Sequence, residues 1–164
     1  MKSMSRIVSF SFVASVMMFT AAFSTSVFAG DPIPKEKMPK AVLEAFAKAH
    51  PNETIIEYAT KDIEGVNYYE LEWMVGKLKH EEFYNADGSL FLKAAYVEIA
   101  DLPNGVKEGI ERDYPGKAII KVMKMMRDTT TGKITKYKPF IEGVDVSGRI
   151  FYTVSGKKSN SFRF

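Results

Sequence analysis

The sequence contains no cysteine, only two histidines and one tryptophan among its 164 residues. Without cysteine there is no disulfide scaffold, no thiol nucleophile and no cysteine for lipoprotein attachment. Histidine is the usual proton carrier and a common metal ligand, so two histidines leave little material for either kind of site. With 46% hydrophobic and 26% charged residues, the composition is that of an ordinary globular domain and excludes intrinsic disorder.

Motifs of common enzyme and cofactor sites are also missing. The sequence has no Gly-x-Ser-x-Gly nucleophile elbow and no glycine-rich phosphate loop. His80 and Glu82 face one side of a predicted strand, but two ligands are too few for a protein zinc site. His50 precedes the helix-ending Pro51 and is interpreted as a solvated helix end. We therefore expect no metal, no cofactor and no catalytic residues.

The first 29 residues differ from the rest of the chain. A short basic stretch precedes a nearly unbroken apolar run over residues 7–22, and small residues then lead to Ala29. This order predicts an export signal, residues 1–29, that is cleaved between Ala29 and Gly30. The apolar run is short for crossing about 30 Å of hydrocarbon, which favours cleavage over a retained anchor. We therefore expect a periplasmic or secreted protein with no transmembrane segment after cleavage.

The remaining chain contains the same order of signals twice. Residues 38–46 and 102–110 predict helices entered through proline, and each helix ends at a proline, Pro51 and Pro115, 64 residues apart. After each helix the apolar period changes to about two, which predicts strands. The predicted strands are 54–60, 67–74, 77–84, 89–99, 117–127, 137–146, 149–154 and a last strand toward Phe164.

Glycine turns join these strands into antiparallel hairpins, at Gly76, at Gly88 and within residues 147–149. We expect a linker at residues 30–35, a first repeat at 36–100 and a second at 101–164 that shares one sheet with the first. The expected fold class is therefore α+β, with two tandem helix-plus-antiparallel-meander repeats and both helices packed on one face of the antiparallel sheet.

Several of these segments resemble a known family. The proline-led helix openings, the stop at Pro51, the Tyr-Glu-Leu strand at 69–71 and the Asn-Ala-Asp-Gly-Ser-Leu turn at 85–90 are similar to the PepSY-like, β-lactamase-inhibitor-protein-like (BLIP-like) repeats of exported bacterial proteins. The resemblance covers residues 36–164 and rests on structural motifs. It implies a concave sheet able to bind a partner protein, and no catalytic or cofactor residues.

Alternation along two neighbouring strands separates two sets of side chains. A two-residue turn at Gly76 places an apolar set on one face, beneath the helix, and a set that mixes charges with aromatic rings on the other. The mixed set suits an exposed sheet face that recognises a partner, although a plain solvated face explains it about as well. The partner-binding candidates are Tyr68, Glu70, Glu72, Lys79, Glu81 and Phe83.

Charge is divided between the two halves. Residues 30–100 contain 8 Lys/Arg and 13 Asp/Glu, a net charge of −5, whereas residues 101–164 contain 13 against 7, a net charge of +6. In an exported protein, the basic run of the second half would meet anionic envelope polymers or lipid headgroups rather than nucleic acid. A lysine-rich strand that blunts a sheet edge is the slightly favoured alternative. The basic strand candidates are Lys117, Lys121, Lys124 and Arg127.

The leading hypothesis is an exported, non-catalytic binding or inhibitory module that recognises a protein or an anionic envelope ligand through its sheet face. One alternative is a small outer-membrane β-barrel or envelope structural protein, which the alternating strands and the terminal Phe-Arg-Phe would allow. Another is an uncharacterised hydrolase with a carboxylate pair, for instance Glu70 and Glu81 across the hairpin. The oligomeric state does not follow from the sequence.

Overall fold

The computed structural model describes residues 30–145 and 150–160. Its strands form one sheet in which each strand pairs antiparallel with its sequence neighbours, in the order β1 to β9. The strands are β1 (Asp31–Pro32), β2 (Ile55–Ile63), β3 (Val66–Val75), β4 (Leu78–Tyr84), β5 (Leu90–Val97), β6 (Ile119–Thr129), β7 (Gly132–Ile141), β8 (Phe151–Thr153) and β9 (Lys158–Ser159). The helices are α1 (Lys40–Ala49) and α2 (Asn104–Asp113), and 3₁₀ turns at Lys35–Lys37 and Ile99–Asp101 precede them.

The predicted fold class, α+β with two tandem helix-plus-antiparallel-meander repeats, is wrong. Within the described ranges only two α-helices occur, each of ten residues, so the fold is mainly β. Strands β5 and β6 pair directly, from Lys93 opposite Met126 to Val97 opposite Val122. The hydrogen-bonded sheet therefore continues through the expected boundary between units. Proline ends each helix early, whereas the glycine turns let the strands follow one another directly.

One segment that is predicted to be a linker forms a strand, and three other predicted segments lie outside the residues that the structure describes. Asp31 and Pro32, expected as linker, pair with Thr60 and Ala59 as an edge strand. The predicted export signal up to Ala29, the turn at residues 147–149 and the end of the last strand toward Phe164 lie outside the described residues. In the described part, neither helix is long and apolar enough to cross a membrane.

The two helices cover one face of the sheet, which we call the outer face. On α1, Val42 and Phe46 lie in one buried cluster with Leu71, Trp73 and Tyr84 of β3 and β4. α2 contributes to a second buried cluster with strands β6 to β8. The turn at Gly76 has the predicted register, which directs the predicted apolar set toward α1.

The opposite face, which we call the inner face, is also buried because the sheet curls. Phe83, Leu92, Met123 and Met125 on this face are at most 1% exposed, although both helices lie on the opposite face. The sheet therefore covers this face itself, by curling. The inner face contains a buried cluster of Tyr68, Phe83, Leu92, Ala94, Met123, Met125 and Phe151.

Candidate functional site

Three glutamates form an acidic cluster on the inner face. Glu72 on β3 lies directly opposite Glu81 on β4, and Glu70 lies two residues away on the same side of β3, opposite Phe83. Their exposed fractions are 0% for Glu70, 4% for Glu72 and 1% for Glu81. One carboxylate oxygen from each lies within 4.8 Å of the others. Like charges buried this closely must be balanced by cations or retain protons.

Lys79 balances two of the three carboxylates. Its Nζ lies 2.8 Å from Oε1 of Glu72 and 2.9 Å from Oε1 of Glu81. Burial alone would lower the pKa of Lys79, but the two carboxylates more than reverse this and raise it above its ordinary value. Lys79 therefore stays charged and offsets part of the repulsion between the two opposite glutamates, although burial still raises the pKa of Glu81.

Glu70 is less completely balanced. Its Oε2 accepts a hydrogen bond of 3.1 Å from the backbone nitrogen of Gly30. Its Oε1 is buried and has no hydrogen-bond partner in the described part of the chain. Burial, reinforced by the charges of Glu81 and Glu72, raises the pKa of Glu70 to about 9. With an amide at Gly30, the Glu70 carboxyl is therefore protonated at neutral pH.

Lys79 also connects the acidic cluster to an open pocket of about 300 Å³ at the β3–β4 turn end of the sheet. Apolar side chains are exposed at this pocket: the exposed fraction is 63% for Ile120 and 38% for Ile99. Large apolar side chains exposed together are typical of surfaces that bind another molecule. The pocket is lined by Lys77, Leu78, Lys79, Tyr96, Val97, Glu98, Ile99, Ile120 and Lys121.

Lys121 is an exposed cation of this pocket. Its Nζ lies 4.7 Å from the ring centre of Tyr96 and 4.6 Å from that of Phe140. The Tyr96 hydroxyl is 3.4 Å from the same ammonium, and Nζ of Lys79 is 6.0 Å from the Tyr96 ring. Cation–π contacts hold an ammonium in place without neutralising it. Over residues 30–145 and 150–160 no carboxylate pairs with Lys121, so its charge can meet that of a ligand.

Of the six residues predicted to bind a partner, the structure buries five and leaves Lys79 partly exposed. All six share one side of the β3–β4 hairpin, but the expectation that this face is exposed is wrong. Only Lys79, with 23% of its side chain exposed, reaches the open pocket. Alternation shows which side chains share a face, but the curvature that covers that face depends on the whole sheet. The buried members are Tyr68, Glu70, Glu72, Glu81 and Phe83.

The four predicted basic residues do not share one face. Lys117 precedes β6, and Lys124 lies opposite Tyr137 on the outer face, three residues after Lys121. Arg127 lies over the ring of Phe91, with its Cζ 4.2 Å from the ring centre. The structure instead places Lys79, from the partner-binding candidates, and Lys121, from the basic strand candidates, beside the ring of Tyr96. Neither alternation nor charge could have paired them, because they lie on β4 and β6, with β5 between them in the sheet.

A second polar cluster lies on the outer face beneath α1. Glu82 accepts a hydrogen bond from the Tyr84 hydroxyl, and His50 Nε2 lies 3.1 Å from the same carboxylate oxygen, Oε2. Lys93 Nζ is 2.8 Å from the other oxygen, Oε1. His50 is therefore not a solvated helix end, and Glu82 has partners other than His80. A buried carboxylate needs such partners, so core packing accounts for this cluster.

Comparisons with known proteins identify the fold. No family model matches the sequence, and the comparison with curated proteins gives no match. Each of three solved Bacteroides structures covers 73% of this chain. A BLIP-like protein from Bacteroides fragilis is 16% identical, with a TM-score of 0.52 over 81% of its own chain. A DUF2874 family protein from Bacteroides uniformis is 14% identical, with a TM-score of 0.54 over 85%.

The third solved structure, a candidate periplasmic protein from Bacteroides eggerthii, is 15% identical, with a TM-score of 0.55 over 84% of its chain. Identities this low show a shared fold and nothing of activity. The BLIP-like fold expected from the sequence is therefore confirmed.

Proposed function

We propose that the protein is an exported, non-catalytic binding module whose ligand site is the pocket around Tyr96. The observation that carries this proposal is the ammonium of Lys121, which two aromatic rings hold beside the exposed Ile120 without neutralising it. A cation next to apolar surface is complementary to a carboxylate next to an apolar side chain. The ligand is therefore an acidic segment that also carries apolar side chains.

The shared fold supports a protein partner and an envelope location. One structure of this fold is described as BLIP-like and another as a candidate periplasmic protein. An inhibitor protein acts by binding another protein, and the predicted export signal would bring this chain to the same compartment. We therefore propose a periplasmic protein that binds another envelope protein. The finer likeness to PepSY-like repeats stays a prediction.

A protein partner fits the pocket better than an anionic envelope polymer does. A polyanion is attracted by charge over a continuous basic surface, and the basic residues of β6 point to both faces of the sheet. The pocket adds exposed apolar surface at Ile99 and Ile120, which only a partner with apolar side chains would use. Binding should therefore retain much of its strength in high salt, unlike binding to a polymer.

Photo-cross-linking in cells tests the proposal. A photoreactive residue at position 120 of the exported protein should capture one envelope protein. Val154 is exposed to 52%, is also apolar and lies outside this pocket, so it serves as the matched control position. Equal capture at both positions, or no capture at position 120, would contradict the proposal.

Charge reversal distinguishes the pocket from general electrostatic attraction. Lys121→Glu should weaken binding of the captured protein by about tenfold or more, because it places a like charge against the ligand carboxylate. Lys124→Glu makes the same change on the same strand but on the outer face, and should leave the Kd unchanged. Calorimetric titration at two salt concentrations measures both values. Equal weakening by both variants would show that net charge alone controls binding.

A further inference from the structure

Gly30 is held tightly against the acidic cluster of the inner face. Strand β1 sets its position, because Asp31 pairs with Thr60 and the amide of Ile33 donates to the carbonyl of Tyr58 at 2.8 Å. A Cβ at Gly30 would lie 2.5 Å from Oε2 of Glu70 and 2.6 Å from the carbonyl oxygen of Thr60. The position therefore accepts only glycine without displacing its neighbours.

We propose that removal of the leader after Ala29 converts the Gly30 nitrogen into an ammonium that forms a buried ion pair with Glu70, so that processing completes the charge balance of the inner face. Hydrolysis of the Ala29–Gly30 bond consumes one water. Its oxygen enters the new Ala29 carboxylate, and both of its hydrogens reach the Gly30 nitrogen, which becomes –NH₃⁺. The inference rests on the export that the proposed function includes, but not on the ligand pocket.

The charges around Glu70 show what this ammonium contributes. Among the described residues, the ammonium of Lys79 forms its ion pairs with Glu72 and Glu81 rather than with Glu70. Before cleavage, the charges of Lys61 and Lys79 act on Glu70 without overcoming its burial. Within the part of the chain that the structure describes, its one hydrogen bond is from the neutral amide of Gly30, 3.1 Å from Oε2, and Oε1 has no donor. An ammonium at the same place supplies a full charge and additional N–H donors. Glu70 can then ionise without remaining an unbalanced buried charge.

The stability of the uncleaved form, with an amide at Gly30, and that of the cleaved form, with an ammonium there, depend differently on pH. The direction of the pKa shift in each form determines the sign. With an amide at Gly30, the folded pKa of Glu70 lies above its ordinary value of 4.5. Its contribution to stability is complete below pH 4.5 and is lost as the pH rises toward 9.

With an ammonium at Gly30, the carboxylate raises the pKa of that amine above its usual value of about 8. The ion pair then stabilises the fold until the pH passes that raised pKa. The other charges facing Glu70 are those of Glu72, Glu81, Lys61 and Lys79, and they are common to both forms. The stability difference between the forms therefore reports on whether the terminal ammonium lies at Gly30, beside Glu70, or one residue before it.

The experiment compares the full chain recovered after export with a form that starts at Ala29, in which the Gly30 nitrogen is an amide. Mass spectrometry should place the first residue of the exported protein at Gly30, and any other start would overturn the proposal. At pH 7 the Tm of the Ala29 form should be lower by about 5 to 10 °C. The difference should disappear as the pH falls through the lowered pKa of the paired Glu70, and again as the pH rises through the raised pKa of the Gly30 amine.

Two variants and one added ion complete the test. Glu70→Gln should make the two forms equally stable, whereas Glu72→Gln should preserve their difference. A difference that survives Glu70→Gln would show that chain length, not the ion pair, is responsible. If calcium stabilises the Ala29 form as much as cleavage does, the cluster binds a metal ion and the proposal is wrong. Photo-cross-linking at position 120 is an independent measurement, so a negative result for the Gly30–Glu70 ion pair does not contradict the pocket proposal.

Discussion

Buried carboxylates on the two faces of this sheet are balanced by different sets of partners. On the inner face Glu72 and Glu81 share the ammonium of Lys79. On the outer face Glu82 combines a phenol, an imidazole and the ammonium of Lys93. Because a charge-assisted hydrogen bond in a buried site is among the stronger polar interactions, the loss of one partner should be measurable.

Tyr84→Phe tests this balance at Glu82. Burial and the neighbouring carboxylate raise the pKa of Tyr84, so its hydroxyl stays a proton donor over the working pH range. Removing this donor should lower the free energy of unfolding by about 1.5 to 3 kcal/mol, measured by urea denaturation. In the control Tyr114→Phe, the lost hydroxyl accepts an exposed bond of 3.1 Å from Lys158, and the change should stay below about 0.5 kcal/mol. Equal decreases in the free energy of unfolding for the two variants would mean that the buried bond to Glu82 stabilises the fold no more than an exposed one.

At the scale of elements, α2 lies unusually close to the turn that follows β8. A Cβ at Gly109 would lie 2.5 Å from the carbonyl oxygen of Gly156 and 3.0 Å from Cδ1 of Tyr152. The Tyr152 hydroxyl also donates to Asp113 at 2.9 Å, and Arg112 donates to the Gly156 carbonyl at 3.1 Å. The glycine in this helix is therefore required by the close approach of the two elements.

Gly109→Ala should reverse the usual effect of this substitution. In an exposed helix, alanine is more favourable than glycine by about 1 kcal/mol. Here the added methyl group must push the Gly156 turn away, so we expect a loss of about 1 to 3 kcal/mol in the free energy of unfolding. Glu108→Ala, at an exposed neighbouring position, should change it by less than about 0.5 kcal/mol. A more stable Gly109→Ala protein would show that the two elements separate easily.

For the whole molecule, the continuous sheet predicts cooperative unfolding. Strand β6 completes the hydrogen bonds of β5, and residues beyond Ala100 supply Met123, Met125 and Phe151 to the inner-face cluster. A fragment of residues 30–100 would expose both the edge of β5 and the four cluster residues that it retains. The opposite net charges of the two halves add a weak, salt-dependent attraction.

We therefore expect one calorimetric transition for the processed chain, with the fluorescence of Trp73 changing at the same temperature. The fragment 30–100 should be poorly folded, because a core of that size is marginal even when its edges are covered. Two transitions in the complete chain, or a stably folded fragment, would show that the two halves fold independently and that the shared sheet contributes little.

Local signals account for the parts of this structure that the sequence determined by itself. Glycine turns and a period of two placed most strands within a few residues, and the turn at Gly76 determined which side chains of β3 and β4 share a face. The BLIP-like fold was implied by a family resemblance that rests on helix openings and turns, and a solved BLIP-like structure shares it. These features depend on neighbouring residues, so they are visible without knowledge of the rest of the chain.

Only the tertiary structure decided what covers each face and which distant residues meet. The curl of nine strands buries Glu70, Glu72 and Glu81, which alternation alone left on a surface. It also brings Lys79 and Lys121 to the same aromatic ring, and places the nitrogen of Gly30 beside Glu70. Sheet curvature is the sum of many small twists between strand pairs, so no single segment encodes it. The acidic cluster beside Gly30 and the pocket around Tyr96 both lie where the curvature of the sheet brings charged groups together.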